Sequence, residues 1–501
     1  MHNFYTFCRQ YFRDDDIFIF HPIFTKEYSY RNLHDESGII AHHLTKLGLI
    51  KGDRVILQVE KSPQNLFWYF ACLRAGLIYL PLNTAYKKKE IEYFINDAKP
   101  ALILCDPRKH ALFKSIINKS DNHCQVHCLN QYGDYSHHNS RSTGSDFEDI
   151  NCGPDDIAVI LYTSGTTGKP KGAMITHGNL ISNSEALSQT WQWQSQDVLL
   201  HSLPIFHVHG LFVAVNLAVL NSSKIIFLNA FDAEKIIEYL PQASVYMGVP
   251  THYVRLLNSP NLTVSGCKNI RLFTSGSAPL LPQTLTTFEQ RTSHTIVERY
   301  GMTETGMNTS NPIDGQRKPG TVGLPLAGVK IMIVNNKDET VDKGIPGLLR
   351  VKGDNVFKGY WQMPEKTAEA FTLDGFFKTG DIASVDPDGY ISIIGRDKDM
   401  IITGGLNVYP KEIEIIIDDI PGVLESAVIG LPHSDFGESV TAVVVKQSNN
   451  LNLQEQDIIQ HLKNQVANFK VAKQVYFVDE LPRNTMGKVQ KMMLRERFTN
   501  H

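Results

Sequence analysis

Cysteine is scarce in this chain, with seven residues in 501, at positions 8, 72, 105, 124, 128, 152 and 267. An odd, scattered set in so long a chain argues against a disulfide framework and fits a reducing compartment. An excess of one charge is lacking too. The 49 basic and 52 acidic residues leave a formal net charge of −3, so the chain carries no electrostatic footprint for a nucleic-acid polyanion. Long apolar runs are missing as well. Nothing approaches the roughly 20 residues that a membrane span needs. The start, Met1 to Asp16, holds Arg9, Arg13 and three consecutive aspartates where a signal peptide would have an apolar core. The expectation is a cytoplasmic protein with neither nucleic acid nor membrane as partner. One histidine- and cysteine-rich segment stands apart: His123, Cys124, His127 and Cys128, with His137 and His138 nearby. Neither half of a standard zinc ligand set has its usual spacing there. "HCQVHCL" alternates like a short strand, and a surface segment is the better reading.

The composition that remains is that of a folded enzyme-sized chain, with 42% hydrophobic and 20% charged residues. At roughly 150 residues per domain, the length suggests about three folding units. Helical spacing over Leu33–Leu47 and Pro63–Ala75 alternates with strand-like runs at Arg54–Val59, Ala101–Cys105, Ile157–Tyr162, Lys224–Leu228 and Ser244–Val249. Such alternation predicts layered α/β architecture with largely parallel sheets. From about 326 the pattern turns β-rich, with strands at Val329–Val334, Gly347–Lys352 and Gly389–Gly395 and a turn at Asp386-Pro387-Asp388-Gly389. The last hundred or so residues mix helices (Lys411–Asp419, Glu455–Gln465) with strands (Ser426–Ile429, Thr441–Val445, Gln474–Val478). A boundary is expected near Arg396–Lys398, dividing a domain of residues 1–395, whose β-rich part is 326–395, from an α+β domain of residues 396–501.

The strongest chemical signal is Thr163-Ser164-Gly165-Thr166-Thr167-Gly168-Lys169-Pro170-Lys171-Gly172, between the apolar run Ile157–Tyr162 and a second one at Ala173–Thr176. Glycines, hydroxyls and lysines together can wrap a polyphosphate with backbone N–H groups, O–H donors and point charges. A flexible hairpin would take the glycines but would hardly need so many hydroxyls and two lysines. A Walker loop is excluded, because Pro170 follows Lys169 and a strand, not a helix, comes next.

Read with three further segments, this loop resembles the adenylate-forming superfamily of acyl-CoA synthetases, luciferases and peptide-synthetase adenylation domains. "YTSGTTGKPKGAMITHGNL" (162–180) resembles its phosphate loop and "ERYGMTETG" (298–306) its adenine and magnesium segment. "KTGDIASVDPDGYISIIGRDKDMI" (378–401) resembles its ribose and hinge segments, and "LPRNTMGKVQK" (481–491) its C-terminal lysine motif. The likeness covers essentially the whole chain, in order. It implies an α/β fold with a large N-terminal domain of layered subdomains plus a small β-barrel, followed by a small mobile α+β domain. It also implies an ATP-dependent acid–CoA ligase, with ATP, Mg2+ and coenzyme A as co-substrates or cofactor.

The same resemblance implies roles. Lys488 would reach the carboxylate and α-phosphate during adenylation. Glu304, helped by the Thr163 hydroxyl, would hold magnesium, a hard cation that wants oxygen donors. Nucleotide contacts would come from Thr163, Ser164, Gly165, Thr166, Thr167, Gly168 and Lys169, and from Arg299, Tyr300, Gly301, Met302 and Thr303. Tyr300 would stack on adenine, Gly276-Ser277-Ala278 would line its edge, Asp381 would accept from the ribose and Arg396 would contact ribose and phosphate. Lys398 falls at the hinge, and Gly404-Gly405 would approach the CoA pantetheine once the small domain turns. Taken alone, Lys488 and Arg396 would be solvated charges and Asp381 a turn residue. Enzymes that acetylate and deacetylate Lys488 are partners suggested by the resemblance alone.

Among branches of the superfamily the chain most resembles the malonyl-CoA synthetases, in "YLPLNTAY" (79–86), "LPIFHVHGLFVA" (203–214), "MGVPTHYVRLL" (247–257), "SGSAPLL" (275–281) and "RYGMTETGMNTSNP" (299–312). That branch places an arginine after "VPT" on the second carboxylate of a small dicarboxylic acid, and Arg255 occupies the match. Arg255 has two readings: its head reaches the surface or pairs internally, or it awaits an anionic ligand, for which a planar fork is suited. His207 matches a position at the acyl-pocket entrance, and Ser277 and Arg299 could add contacts to the distal carboxylate. Methylmalonate would be tolerated if a methyl is worth only about 1–3 kcal/mol in the pocket. The rivals are a ligase for another short, fatty or aryl acid, and a free-standing adenylation enzyme that loads a carrier protein.

Overall fold

A computed structural model describes residues 3–119, 124–130, 132–133, 135, 146–163, 170–403, 406–433, 436–447, 453–484 and 487–499. Two large sheets form its body. The first runs Gly359–Tyr360, Lys171–Thr176, Ile157–Thr163, Ile78–Pro81, Arg54–Gln58, Leu102–Cys105, Gln125–Cys128. Its inner strands are parallel, and Ile78–Pro81 and Leu102–Cys105 are buried at every position. Burial on both faces is why these strands appear in the sequence as unbroken apolar runs. The second sheet runs Leu324–Pro325, Gly306–Ser310, Ile296–Met302, Leu272–Ser275, Val245–Gly248, Val198–His201, Lys224–Phe227, Ile17–His21, Lys26–Ser29. Neighbours from Ile296–Met302 to Ile17–His21 are all parallel, so their carboxyl ends open along one edge, the usual position of a ligand on such a sheet.

Helix boundaries follow their caps. The spacing predicts a helix from Leu33, but it begins at Tyr30, because the Ser29 side chain accepts from the backbone N–H of Asn32 while Asn32 bonds back. Pro63–Arg74 starts where predicted, capped by Ser62 with proline in its first turn. Arg74 at its end is 0% exposed and works as a clamp. Its guanidinium bonds Asp149 Oδ1 at 2.6 Å, His34 O at 2.6 Å, Ser37 Oγ at 3.0 Å and Phe147 O at 3.0 Å. It thereby joins the helix Tyr30–Lys46 to the segment leading into the strand Ile157–Thr163.

The β-rich unit expected as a small barrel is a four-stranded antiparallel sheet in the order Lys330–Val334, Gly347–Lys352, Phe377–Val385, Ile391–Arg396. Its end strands do not pair with one another among the described residues. The predicted turn at Asp386 closes its last hairpin, with Gly389 at φ +91° and Lys318 bonding both Asp386 and Asp388. The strand Phe377–Val385 has no counterpart among the sequence expectations, since Gly380 and Asp381 interrupt its apolar pattern. After Ile391–Arg396 comes a single 3-10 turn, Asp397–Asp399, and Ile401–Thr403 then enters a different sheet. That last sheet gathers Leu406–Val408, Ile401–Thr403, Gly437–Lys446, Val423–His433 and Gln474–Val478 around its own core, which includes Ile413, Ile417, Val428, Val444, Ile458 and Leu462. Among the described residues no helix is long and apolar enough to cross a membrane. Cys124, His127 and Cys128 lie in or beside the strand Gln125–Cys128, while His123, His137 and His138 fall outside the described residues.

Cutting the clamp should cost stability. Arg74→Met leaves Asp149 and the carbonyls of His34 and Phe147 without their donor, and a loss of about 3–5 kcal/mol is expected, read as a lower urea midpoint.

Candidate active site

The hairpin of the β-rich unit sets two of the expected residues opposite each other. Its register pairs Asp381 with Arg396, and the Arg396 Nε lies 2.9 Å from Asp381 Oδ1. The other carboxylate oxygen accepts from the Tyr300 hydroxyl. Tyr300 therefore arrives with its ring beside the carboxylate expected at the ribose, carried by the strand Ile296–Met302. That strand turns back on Gly306–Ser310 through a bulge at Tyr300/Gly301. The crossing is tight. A Cβ on Gly301 would stand 2.0 Å from Gly306 O, and Gly306 itself has φ +57°. Only glycine fits either place.

Within this turn Glu304 is 7% exposed and accepts from the Tyr360 hydroxyl at 3.1 Å. Burial raises its pKa above the usual carboxylate range, partly offset by that hydroxyl, Arg396 and Lys171. A buried carboxyl with lone pairs to spare, backed by a tyrosine hydroxyl, is an oxygen donor set that fits magnesium. Tyr360, whose ring also lies 4.4 Å beneath Lys171 Nζ, was not foreseen, because nothing near it in sequence marks it out. Thr163 ends the strand Ile157–Thr163 in register with Lys171. Ser164 to Lys169 lie outside the described residues, as do Gly404 and Gly405.

Lys488 enters from the C-terminal unit. Its backbone N–H donates to Asn484 Oδ1 at 2.9 Å, and Asn484 N–H returns to Lys488 O at 2.9 Å, so a tight turn presents the side chain. Gly487, at φ +75°, lies so near helix Pro250–Leu257 that a Cβ there would be 3.2 Å from Thr251 Oγ1. The lysine is solvent-accessible, yet the cleft desolvates its ammonium and Arg396 repels it, pushing its pKa down to about 8, while Asp381 pulls the other way. Lys398 feels the same burial and the same Arg396, and its pKa is also lowered.

A second group gathers where the nine-stranded sheet ends. Arg299 is 4% exposed, and burial lowers its pKa to about 9. Its Nη1 meets Met307 Sδ at 3.0 Å, while Nε and Nη2 have no partner among the described residues. Gly276 packs against it so closely that a Cβ would stand 2.5 Å from Nη1. His207 is pushed down to about 4 by burial and then by Arg299, and is neutral. His209, two residues further on, is fully enclosed, with Nδ1 3.3 Å from Ser277 Oγ. Ser277 sits at φ +71°. Unpartnered buried atoms cluster here: His209 Nε2, Ser202 Oγ, Thr274 Oγ1 and Ser275 Oγ.

Arg255 takes the surface position that was one of its two readings. It is exposed on helix Pro250–Leu257, 6.0 Å over the Phe231 ring, and makes no ion pair among the described residues. The apolar stretch around it is the buried stripe of an amphipathic helix, and Arg255 falls off that stripe. Its charge still reaches His252, which stacks on Phe231 at 3.9 Å and is pushed down to about 3 by burial and then by Arg255.

Sheet edge, the turn Asp397–Asp399 and the lysine loop thus bring polar and charged groups of two units together, and sequence comparison identifies the family. The AMP-binding enzyme pattern matches residues 6–361 and the AMP-binding enzyme C-terminal domain matches residues 412–488, so the chain belongs to the AMP-binding enzymes. It is 34% identical over 494 residues to a malonate–CoA ligase of Arabidopsis thaliana, covering 90% of this chain and 79% of that one. A long-chain-fatty-acid–CoA ligase of Mycobacterium tuberculosis is 32% identical, covering 94% and 93%. Among solved structures, ATP-bound MatB from Rhodopseudomonas palustris is 48% identical, covers 100% of this chain and 99% of its own, and superposes with a TM-score of 0.97. The apo form of the same protein superposes with 0.86.

Because Arg396 repels Lys488 and also neutralises Asp381, Arg396→Leu should raise the Lys488 pKa above about 8. The pH dependence of competitive amine labelling at Lys488, followed by mass spectrometry, measures it.

Proposed function

We propose that the chain is an ATP-dependent acid–CoA ligase that forms AMP, with malonate as its acid. Malonate, ATP and CoA would become malonyl-CoA, AMP and diphosphate by way of a malonyl-adenylate. The observation that carries this reading is Arg299, a buried guanidinium with two unpartnered nitrogens and no carboxylate, surrounded by neutral histidines and hydroxyls. An uncompensated buried charge costs several kcal/mol, and an anionic group of the ligand relieves it with paired hydrogen bonds. A fatty or aryl acid brings no such anion. The malonate–CoA ligases among the relatives support the same choice. Arg255, which the resemblance put on the second carboxylate, is exposed on its helix and would steer the dianion inward.

The residues then divide the work. A carboxylate attacking the α-phosphate sets two anions together, and positioned cations must offset their repulsion. Lys488 would do this from the C-terminal unit, with Arg396 from the hinge strand. Tyr300 would lie along the adenine, with Gly276 to Ala278 at its edge and Gly301 to Thr303 lining the turn, while Asp381 held the ribose. The segment Thr163 to Lys169 would wrap the phosphates. Glu304 and Thr163 would hold Mg2+, which when bound offsets phosphate charge. Turning about Lys398, within a boundary at residues 395–396, would withdraw Lys488 and bring Gly404-Gly405 toward CoA. Acetylation of Lys488 would remove the charge it contributes.

Purified chain given ATP, magnesium, CoA and a panel of acids should release diphosphate with malonate, less with methylmalonate and little with acetate, butyrate or coumarate. Equal turnover with butyrate would overturn the assignment. Arg299→Leu should raise the malonate KM by about 100-fold or more while Arg255→Leu raises it less, on the order of tenfold, and salt should erase only the latter effect. Lys488→Ala should lose adenylation by about 100-fold or more yet still pass a preformed malonyl-adenylate to CoA; equal loss in both half-reactions would contradict its role.

A further inference from the structure

Behind the histidine turn stands a lysine that the chemistry above does not use. Lys61 comes from the loop between the strand Arg54–Gln58 and the helix Pro63–Arg74, and so from the other large sheet. Its Nζ lies 2.6 Å from Leu228 O, 2.8 Å from His201 Nδ1 and 3.3 Å from His201 O. It also stands 4.4 Å over the Phe227 ring. These acceptors end the strands Val198–His201 and Lys224–Phe227, on the edge that bears the site. Among the described residues no carboxylate pairs with Lys61. Burial drives its pKa well below the usual lysine range. Lys61 is half-buried, and a lysine whose ammonium head is desolvated without an anionic partner is uncommon.

The direction of each hydrogen bond can be read from the chemistry. His201 Nε2 lies 2.9 Å from Gly210 O. A carbonyl only accepts, so the imidazole hydrogen is on Nε2, Nδ1 offers its lone pair, and Lys61 is the donor to it. Two N–H groups suffice for the two short contacts, so ammonium and neutral amine alike would hold the arrangement. Burial, and then Lys61, keeps His201 neutral. Gly210 has no room to drift, since a Cβ there would stand 2.1 Å from Pro204 O. Its neighbour His209 donates its backbone N–H to His207 Nδ1 at 3.3 Å and faces Ser277 Oγ through its ring. A continuous path runs Lys61, His201, Gly210, His209, Ser277.

We propose that Lys61 is a positioning residue for acid selection, fixing the His201 tautomer and through it the His207–His209 turn that faces Arg299. The proposal rests on the reading that this pocket takes the acid. Methionine at 61 would leave Leu228 O and His201 Nδ1 without a donor, and the turn would lose its anchor. Asp381 and Tyr300, expected at the nucleotide, are not on the path, and Ser277, also expected at the adenine edge, is only its far end, so the larger effect falls on the acid.

The test uses whichever acid the panel selects, so failure of malonate as substrate would refute the proposed function and leave this measurement standing. Lys61→Met is expected to raise the KM of the acid by about tenfold or more, with the ATP KM within about twofold. His201→Phe should do the same, and the double variant should be no worse than either single one, because both cut one path. Lys61→Arg, which keeps a donor, should recover part of the loss. An unchanged acid KM, an equal rise in both KM values, or multiplying effects in the double variant would overturn the proposal. Should Lys61→Met fail to fold, His201→Phe and Lys61→Arg decide the same question by the same two KM values.

Discussion

Much of this molecule depends on a guanidinium kept in the interior with nothing negative beside it. Arg299 is carried by a central strand, pressed against Gly276 and bonded only to a thioether. Everything around it is consistent with that charge. His207 and His209 are held neutral, and the neighbouring polar atoms named above are hydroxyls and imidazoles. A buried ion is tolerated only when its field is used or cancelled. Here the surrounding groups are arranged so that a ligand can cancel it.

The cluster of Asp381, Arg396, Tyr300 and Glu304, proposed to hold the nucleotide, follows a different logic, in which each charge already has a partner. Asp381 is shared between Arg396 and Tyr300, and Glu304 leans on Tyr360. These pairs hold the side chains in position before anything binds, which lowers the reorganisation that catalysis would require. Lys488 is the exception. Its turn reaches across from the other unit and rests against Thr251, so the position of its ammonium depends on how the two units sit.

The fold and the site were legible in the sequence to different degrees. Apolar runs bounded by turn residues marked strands such as Arg54–Gln58 and Gly347–Lys352 nearly to the residue; in the first, burial on both faces leaves little freedom in composition. The strand bearing Asp381 was not marked, since a site residue and a glycine break the very pattern that announces a strand. Tyr300, Asp381, Arg396 and Glu304 were found through short motifs and do lie together. Arg255 was singled out by the resemblance, with a surface position and a ligand role both open; on its helix the apolar neighbours share one face and it occupies another. Lys61, His201 and Tyr360 had no motif at all; their importance arises from contacts between distant segments, which no local window contains.

Arg396 is the last residue of its sheet, and the turn that leaves that sheet begins at the next position. If the C-terminal unit swings about Lys398, the arginine stays behind with Asp381 while the lysine departs. The enzyme would then change tools without loosening its hold on the sugar. Its reaction intermediate would stay moored throughout, and the chain would need no second recognition event to find it again.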